Sequence, residues 1–443
     1  GQVNALPTVV ADRARAHAAR LGTGSASATG SASGTGGSGR PMLGGLPVAI
    51  KDLTDVAGVR ATRGSTLFAD RVPTTSDMAV QRIEHNGGIV VAKSNTPEFG
   101  NGANTVNEVF GATRNPWDTS RSPGGSSGGA AVALKTGQVW LAQGTDVGGS
   151  LRTPAAFTGV VGLRPSPGRV ARGPAANPFD DAGVTGPMAR TVADVALFLD
   201  AMVGREDRDP LSLAAPHQRY ATVVARAAPP GRVAFTPDLG GYTTVDPEVV
   251  SICRAAVDRL ADLGTVVDDA TPDIGGLHEA YHLLRGRLQA DFGRGLGERL
   301  AQTNEHVQWN VRYGMHLTGA DSARGRDLRG RLYGRWLDFL DDWDLLALPA
   351  AIVAAPPVEV LALDEYAGMA FDTYIDWVKI TFLATTVASP ALVVPVGFTA
   401  AGLPVGLQLV GPPQREDVVL AAGAVLEASL GLDLDPIDPR PPA

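Results

Sequence analysis

Short apolar runs alternate with amphipathic stretches over the first part of the chain. Residues 46–50 and 88–92 are short apolar runs that predict buried strands, and residues 79–86 between them have the hydrophobic periodicity of a helix. Residues 193–203 show the same amphipathic helical pattern. Strands that alternate with helices predict an α/β fold in which the sheet is covered by helices.

The second half of the chain begins with a long helical region and returns to strands near its end. Residues 246–263 and 274–342 are dominated by helical periodicity, so we expect residues 205–345 to be mainly helical. The later strand-like runs and the closing helix are residues 345–355, 392–396, 405–410 and 418–430. Because strands come from both ends of the chain, we expect one domain that spans residues 1–443.

The charge balance argues against a nucleic-acid partner. The chain has 443 residues, with 38 Lys and Arg against 46 Asp and Glu, which gives a net charge of −8 at pH 7. Binding to a phosphate backbone needs Lys and Arg concentrated on one face, and the sequence has no basic cluster. With 44% hydrophobic and 19% charged residues, the composition is that of a globular protein with a sizeable core.

One uncharged stretch is long enough to be considered as a membrane span. Residues 380–398 carry no charge, but Pro390 and Pro395 interrupt them, and the valines around Pro395 favour short buried strands. We therefore expect no membrane span. Cys253 is the single cysteine, and the first residues lack the basic and apolar segments of a signal peptide. These features favour a reducing, cytoplasmic location.

Glycine is over-represented, with 54 residues in the chain. Residues 22–39 are almost entirely Gly, Ser, Ala and Thr, which predicts a flexible loop. The G-x-G-x-x-G match that begins at Gly34 lacks a preceding strand and a following helix, so we do not interpret it as a dinucleotide site. Two other glycine clusters, residues 122–129 and 144–150, each contain serine and are stronger candidates for function.

A serine hydroxyl becomes a good nucleophile when a neighbouring base removes its proton. Lysine can act as that base if burial lowers its pKa far enough for the amine to be neutral. The chain has four lysines, and Lys51, at the end of the strand predicted over residues 46–50, is best placed to enter a core-facing site. On the residues alone, a pair of ordinary tight turns remains the alternative explanation of the glycine clusters.

Motifs over most of the chain resemble those of the amidase signature family. They are Pro-Val-Ala-Ile-Lys-Asp at 47–52, Asn-Pro-Trp-Asp at 115–118, Ser-Pro-Gly-Gly-Ser-Ser-Gly-Gly at 122–129, Gly-Thr-Asp-Val-Gly-Gly-Ser-Leu-Arg at 144–152, Gly-Leu-Arg-Pro-Ser at 162–166, Gly-Pro-Met-Ala-Arg-Thr-Val-Ala-Asp at 186–194 and Gly-Leu-Pro-Val-Gly-Leu-Gln-Leu-Val-Gly-Pro at 402–412. The serines Ser126 and Ser150 are 150 − 126 = 24 residues apart. The resemblance implies the amidase signature fold, a single large mixed sheet covered on both faces by helices.

The resemblance also implies roles for individual residues. Ser150 would be the nucleophile, Lys51 the base, and Ser126 the serine that passes a proton between them from a cis peptide. The oxyanion hole would be formed by the backbone N–H groups of the nucleophile and of the three residues before it, which are Val147, Gly148, Gly149 and Ser150. The remaining implied site residues are supporting groups, Gly125, Ser127, Thr145, Asp146 and Arg152, and a substrate-binding position, Gly100.

The implied reaction is hydrolysis of a C–N amide bond through a serine acyl-enzyme, with esters and carbamates as further candidate substrates. The expected partners are a small-molecule substrate and water, with no metal and no organic cofactor, and the protein would be a monomer or homodimer. An alternative is the amidase subunit of a glutamine-dependent amidotransferase complex. One stretch departs from the family pattern. Many relatives carry Asn-x-Thr-Gly where this chain has Thr-Thr-Val-Ala at 385–388, so the family's contacts with substrate in this stretch are not carried over to this chain.

Two other motifs predict different chemistry. His278, Glu279 and His282 form an H-E-x-x-H sequence, typical of a zinc hydrolase in which Glu279 is the base, and Glu298 is a conceivable third ligand. The apolar positions beside the histidines favour an ordinary packed amphipathic helix instead. The G-x-S-x-G match at Ser126 would be a nucleophile elbow only if a buried strand preceded it, and the polar residues before it argue against one.

Overall fold

Fifteen strands are present in residues 2–22, 41–174 and 177–442, which are the part of the chain that the computed structural model describes. In chain order they are β1 (Thr8–Val9), β2 (Pro47–Lys51), β3 (Ile89–Ser94), β4 (Val106–Asn107), β5 (Gly111–Ala112), β6 (Leu141–Asp146), β7 (Val161–Arg164), β8 (Val184–Ala189), β9 (Arg232–Phe235), β10 (Val266–Asp269), β11 (Leu345–Pro349), β12 (Glu365–Tyr366), β13 (Met369–Ala370), β14 (Ala391–Phe398) and β15 (Pro404–Val410).

The same ranges contain twelve α-helices. They are α1 (Ala11–Gly22), α2 (Met78–His85), α3 (Gly128–Lys135), α4 (Arg152–Thr158), α5 (Val192–Met202), α6 (Tyr220–Ala225), α7 (Pro247–Ala261), α8 (Leu277–Leu296), α9 (Glu305–His316), α10 (Gly319–Leu340), α11 (Phe382–Thr386) and α12 (Glu416–Leu430). Short 3-10 helices occur at Thr66–Phe68, Glu98–Gly100, Gly297–Gln302 and Asp376–Thr381.

One mixed sheet of eleven strands joins the two ends of the described chain, in the order β1-β3-β2-β6-β8-β7-β14-β15-β11-β9-β10. Strand β2 is parallel to both β3 and β6, and β9 is parallel to β10 and β11. The central strands from β8 to β15 pair antiparallel with their neighbours. The sheet is therefore mixed, with parallel pairs on either side of an antiparallel centre.

Helices cover both faces of this sheet, because successive residues of one strand enter different cores. In β2, Val48 and Ile50 pack with α2 and α5 side chains in one core, whereas Ala49 packs in the core that contains α3. In β14, Leu392 and Val393 are divided in the same way. This alternation is expected for a strand that is buried on both sides. The predicted α/β fold, one large mixed sheet covered on both faces, is confirmed.

Most of the predicted elements are present, with small shifts in their ends. Residues 205–345, expected to be mainly helical, contain α6 to α10, and β9 and β10 also lie there and extend the sheet. The strand predicted over residues 345–355 ends at Pro349. Of the predicted flexible loop at 22–39, Gly22 ends α1, and the rest lies outside the described residues.

The uncharged stretch at residues 380–398 does not form a single helix. It is divided between the end of a 3-10 helix, the five residues of α11 and strand β14. Among the residues that the structure describes, no helix has both the length and the apolar character needed to cross a bilayer.

Two parallel neighbours, β2 and β6, bring the candidate residues together. Ile50 lies opposite Gln143, and the Lys51 backbone N–H donates to Gln143 Oε1 at 3.1 Å. Because parallel strands end at the same edge of a sheet, Lys51 at the end of β2 and Asp146 at the end of β6 both reach that edge.

The packing of β14 predicts the cost of truncating a side chain there. Leu392 is completely buried in the sheet, so we expect Leu392→Ala to lower the free energy of unfolding by about 2 to 5 kcal/mol. The control Leu263→Ala, at a side chain that is 47% exposed, should change it by less than about 0.5 kcal/mol. Denaturant unfolding followed by circular dichroism measures both, and equal effects would contradict this assignment of the core.

Candidate active site

Lys51 is held at the end of β2 by three hydroxyl groups. Its Nζ donates to Ser126 Oγ at 2.7 Å, to Ser127 Oγ at 2.8 Å and to Thr145 Oγ1 at 3.0 Å. The side chain is fully buried, and it forms no ion pair within the described residues. Burial lowers the pKa of Lys51 from 10.5 to about 7, against a smaller opposing effect of Asp146. The amine is therefore poised to gain or lose a proton near neutral pH.

Ser126 lies in the glycine-rich segment that leads into α3. The Gly125–Ser126 peptide bond is cis, and the Ser126 hydroxyl faces both Lys51 and a cavity whose wall also contains Ser150. Ser127 N–H donates to the Ser150 backbone oxygen at 3.1 Å, which ties the two serine segments together. Of the two hydrogen bonds that the expected proton relay needs, the described structure contains the one between Lys51 and Ser126. The Ser126 and Ser150 hydroxyls do not form a hydrogen bond with each other in it.

Ser150 ends a loop between β6 and α4 whose N–H groups are unequal. Those of Val147, Gly148 and Ser150 donate to no group in the described residues, and all three residues line the cavity. Gly149 differs, because its N–H donates to Asp146 Oδ1 at 3.2 Å and the residue does not line the cavity. The N–H groups of Val147, Gly148 and Ser150 are therefore the ones free to form an oxyanion hole in this structure, while that of Gly149 is committed to Asp146. The φ of 97° at Gly149 lets the loop turn toward Ser150.

A buried cluster of charged side chains, Asp146, Arg152 and Arg164, holds this loop in place. The Asp146 carboxylate pairs with Arg152 Nη2 at 2.8 Å and with Arg164 Nη1 at 3.1 Å, and it accepts the Leu151 N–H at 2.9 Å. Burial alone would raise the pKa of Asp146, but Arg152 and Arg164 outweigh it and hold the pKa well below its usual range. Arg164, within the Gly-Leu-Arg-Pro-Ser motif, is a member of the site that the sequence reasoning did not single out.

Arg152 connects the loop to the C-terminal part of the chain. Its Nη1 donates to Gln408 Oε1 and to the Thr381 carbonyl, each at 2.6 Å, and its Nη2 donates to Thr385 Oγ1 at 3.3 Å. Thr385 in turn donates to the Val147 carbonyl at 2.6 Å. Thr385 opens the stretch that departs from the family pattern, and its side chain supports the loop rather than the cavity wall.

Gly148 lies directly against the Tyr281 hydroxyl of α8. A side chain at this position would place a Cβ atom 2.2 Å from Tyr281 Oη, so only glycine fits. Tyr281 is completely buried and stacks on Phe382 with the ring centroids 3.5 Å apart. Its hydroxyl is buried and has no hydrogen-bond partner in the described structure, and the residue lines the cavity.

The cavity has a volume of about 200 Å³ and is lined by both halves of the site. One wall carries the serines and Gly100, the position implied to bind substrate, and the opposite wall is α8. Its apolar lining residues include Leu53, Phe99, Leu288, Phe292 and Ile375. Arg285 of α8 is the one charged side chain among the described residues that line it.

The H-E-x-x-H motif does not have the geometry of a zinc hydrolase. Glu279 turns away and pairs with Arg324 Nε at 2.8 Å, and it is not among the described groups near the histidines. His282 Nε2 lies 2.8 Å from Asp376 Oδ1, and His278 Nε2 lies 4.0 Å from the same atom. His278, His282 and Asp376 are thus the residues that could hold a metal ion, and Glu298 is not a member of this group.

The G-x-S-x-G match also lacks the structure of a nucleophile elbow. Ser126 follows a bent segment instead of a buried strand, and the Gly125–Ser126 bond before it is cis. What the site does offer is a serine on a near-neutral lysine, a second serine in the same cavity, and three free N–H groups beside it. These are the components of serine-based acyl transfer.

Comparisons with known proteins find relatives over most of the chain. The family model described as Amidase matches residues 1–420. The chain is 36% identical to an acylamidase of Rhodococcus erythropolis over 401 residues, covering 87% of this chain and 81% of the relative. It is 34% identical to a glutamyl-tRNA(Gln) amidotransferase subunit of Anaeromyxobacter dehalogenans, covering 97% of this chain and 90% of that relative.

Solved structures give the same result. A bacterial aryl acylamidase of the amidase signature enzymes superposes with a TM-score of 0.87 at 26% identity, covering 97% of this chain and 89% of that one. A 6-aminohexanoate cyclic dimer hydrolase superposes with a TM-score of 0.84 at 28% identity, covering 97% and 90%.

The contact between Gly148 and Tyr281 predicts a compensating pair of substitutions. Gly148→Ala should lower kcat about 100-fold, because the new methyl group displaces the loop N–H groups from the nucleophile. Adding Tyr281→Phe removes the atom that the methyl group meets and should restore part of the lost rate. Steady-state kinetics of the two single variants and the double variant give the coupling. A double variant no more active than Gly148→Ala would show that this contact does not set the loop.

Proposed function

Because this chain belongs to the amidase signature family and is a hydrolase that acts on amide C–N bonds, we propose that it works through an acyl-enzyme on Ser150. In this proposal Ser126 and Lys51 move the proton. The observation that carries the proposal is the fully buried Lys51 amine, with a pKa of about 7, at 2.7 Å from the Ser126 hydroxyl. A neutral lysine in that position can accept a proton from serine, which a surface lysine at pH 7 cannot do.

The first step forms the acyl-enzyme. Ser150 Oγ attacks the substrate carbonyl carbon while its proton passes to Ser126 Oγ, and Ser126 gives its own proton to Lys51 Nζ. The tetrahedral intermediate then collapses: the C–N bond breaks, and the leaving nitrogen receives a proton from Ser126, which is replenished from Lys51. Amine departs, and Ser150 carries the acyl group.

The second step repeats the same transfers with water as the nucleophile. Water loses its proton through Ser126 to Lys51 as it attacks the acyl carbon, and Ser150 regains a proton as the ester bond breaks. Acid and free enzyme result. In both steps the negative oxygen would be bound by the N–H groups of Val147, Gly148 and Ser150, which have no other acceptor in the described structure.

The supporting residues keep this geometry in place. Ser127 and Thr145 accept the two remaining Lys51 N–H groups, so the amine stays directed at Ser126 when it is charged. Asp146, held by Arg152, binds the loop N–H groups of Gly149 and Leu151 and leaves the other N–H groups free. None of these residues needs to exchange a proton with substrate.

For the substrate we propose small carboxylic amides with an apolar part. The support is the apolar lining of the cavity by Phe99, Leu288 and Phe292, together with the acylamidase and aryl acylamidase relatives. Esters and carbamates present the same carbonyl to Ser150 and are further candidates. The single-domain organisation, the cytoplasmic location and the monomeric or dimeric state stay predictions from the sequence.

The amidotransferase alternative has support of its own, in the 34% identity to the amidotransferase relative over 97% of this chain. It shares the proposed site, so the site does not separate the two. Purified protein that hydrolyses aryl amides without any partner chain favours the free-standing hydrolase. Protein that is inert toward aryl amides and releases ammonia from glutamine only with a partner favours the alternative.

Substitution of the three proton-transfer residues tests the mechanism. Ser150→Ala, Ser126→Ala and Lys51→Met should each lower kcat by at least about a thousandfold. Ser94→Ala is the matched control, because Ser94 is buried beside Lys51 at the end of β3 but does not line the cavity. A fluorophosphonate should label Ser150, as located by mass spectrometry. Label on another serine, or full activity of Ser150→Ala, would contradict the proposal.

Removal of metal gives a separate test. The proposed steps use no metal ion, so EDTA should leave hydrolysis of 4-nitroacetanilide unchanged. Loss of activity on chelation, with recovery on adding Zn²⁺, would instead implicate the histidines of α8 and overturn the serine mechanism.

The pKa of Lys51 predicts the pH dependence. Lys51 is the base when neutral, so kcat/KM for a neutral anilide should fall about tenfold per pH unit below about 7 and be constant above it. The rate falls toward acid pH because protonation of Lys51 removes the group that accepts the serine proton. Initial-rate assays from pH 5.5 to 9 measure the dependence of kcat/KM on pH. A rate that still rises tenfold per unit between pH 8 and 9 would place the base at an ordinary lysine pKa.

A further inference from the structure

Arg285 has no ion-pair partner among the described residues, and the Asp376 carboxylate acts on it only from beyond ion-pair distance. This arginine lies on α8, is 6% exposed and lines the cavity. Its guanidinium donates to Asn310 Oδ1, to Asn101 Oδ1 at 3.2 Å and to Tyr374 Oη at 2.7 Å, which are all neutral groups. No carboxylate of the described residues lies within ion-pair distance of it.

The other buried arginines of the described chain are all paired. Arg152 and Arg164 contact Asp146, and Arg169 contacts Glu416 at 2.7 Å. Burial of an unpaired cation is costly, so proteins nearly always supply a partner. Arg285 is the exception, and it is also the one of these four that faces the cavity beside Ser150.

The neighbours of Arg285 are arranged to hold it and not to neutralise it. Asn101 Oδ1 accepts from Arg285, from Gln289 Nε2 at 3.0 Å and from Asn310 Nδ2 at 3.1 Å, so its acceptor capacity is used. Arg285 Nε donates to no group in the described residues. Two more polar atoms near the cavity also lack partners, the Tyr281 hydroxyl and Gln289 Oε1. The α8 wall is therefore a preformed polar surface whose bonding is incomplete.

We infer that Arg285 binds a carboxylate of the substrate, so that the preferred substrates are amides that carry a carboxylate a short apolar distance from the scissile bond. This inference rests on the proposed function. A carboxylate supplies the missing counter-charge and can accept from the Nε–H or from the second Nη1–H of Arg285, which have no acceptor in the described residues. Phe99, Leu288 and Phe292 offer an apolar lining for a methylene chain in the same cavity.

The test compares probes that differ only in charge. The probes are the mono-4-nitroanilides of succinic, glutaric and adipic acid, each paired with the same anilide whose terminal carboxylate is replaced by a carboxamide. A second series places the carboxylate on the amine side of the scissile bond. For at least one chain length, kcat/KM of the carboxylate should exceed that of its carboxamide partner by at least about tenfold.

Variants of Arg285 separate charge from shape. Arg285→Met should abolish the preference for carboxylate while the carboxamide is still hydrolysed, and Arg285→Lys should retain part of the preference. Arg324→Met is the matched control, because Arg324 is an exposed arginine of α10 paired with Glu279 and does not line the cavity. It should leave the preference unchanged, which excludes a general effect of net charge.

A binding measurement covers the case in which Arg285→Met folds poorly. Glutarate should raise the thermal midpoint of the Ser150→Ala protein, pentanamide should not, and Arg285→Lys in that background should weaken the effect. Equal rates for every carboxylate and carboxamide pair, with no stabilisation by glutarate, would overturn the inference. Failure of the proposed function is distinct, because then neither member of any pair is hydrolysed and Ser150 is not labelled by a fluorophosphonate.

Discussion

The site depends on an amine that is buried without a carboxylate beside it. Lys51 and Lys93 are both fully buried on neighbouring strands, but Lys93 lies 3.4 Å from the Asp52 carboxylate, whereas Lys51 contacts only hydroxyl groups. Burial lowers the pKa of both amines, with the charged form of Lys93 supported by Asp52. For Lys51 the change from 10.5 to about 7 corresponds to roughly 5 kcal/mol against the charged form. What separates Lys51 from Lys93 is thus the contact of the amine: Lys51 Nζ faces a serine that lines the cavity, whereas Lys93 Nζ faces a carboxylate.

The second constraint is the placement of negative charge. Asp146 ends the strand next to that of Lys51, yet it is committed to Arg152 and Arg164. The two arginines keep its carboxylate ionised and turned toward the loop, where it accepts N–H groups that would otherwise compete for substrate oxygen. Arg152 then reaches Gln408 and Thr381, far along the chain. The sheet, which joins strands from both ends of the described chain, is what makes these contacts possible.

Much of this arrangement could be predicted from the sequence, because its parts lie in short motifs. The apolar run before Lys51 predicts the strand that carries it, and the resemblance of the glycine clusters to those of the amidase signature family implies the roles of Lys51, Ser126 and Ser150. The periodicity of residues 246–263 and 418–430 likewise corresponds to α7 and α12. The oxyanion-hole residues were predicted as a block, and only the direction of the Gly149 N–H toward Asp146 shows that they are not equivalent.

The rest could not be predicted, because it depends on contacts between distant segments. Nothing in the sequence near Thr385 indicates that its hydroxyl binds the Val147 carbonyl. Of the aromatic residues in the helices after residue 274, Tyr281 and Phe292 line the cavity, while Trp336 is in the core and Tyr333 is exposed. The spacing of residues along a helix is the same whether they line a cavity or pack in the core. Arg285 gave no signal either, since only the fold shows that it is buried, unpaired and inside the cavity.

The most direct test of the central claim is an NMR titration of Lys51. The chain has four lysines, Lys51, Lys93, Lys135 and Lys379, so protein labelled with ¹³C at the lysine ε-carbon gives a simple spectrum in which a Lys51→Met variant identifies one signal. The account predicts that this signal titrates with a midpoint near 7. A midpoint near 10.5, the ordinary value for lysine, would contradict the claim that Lys51 is the proton acceptor of the site.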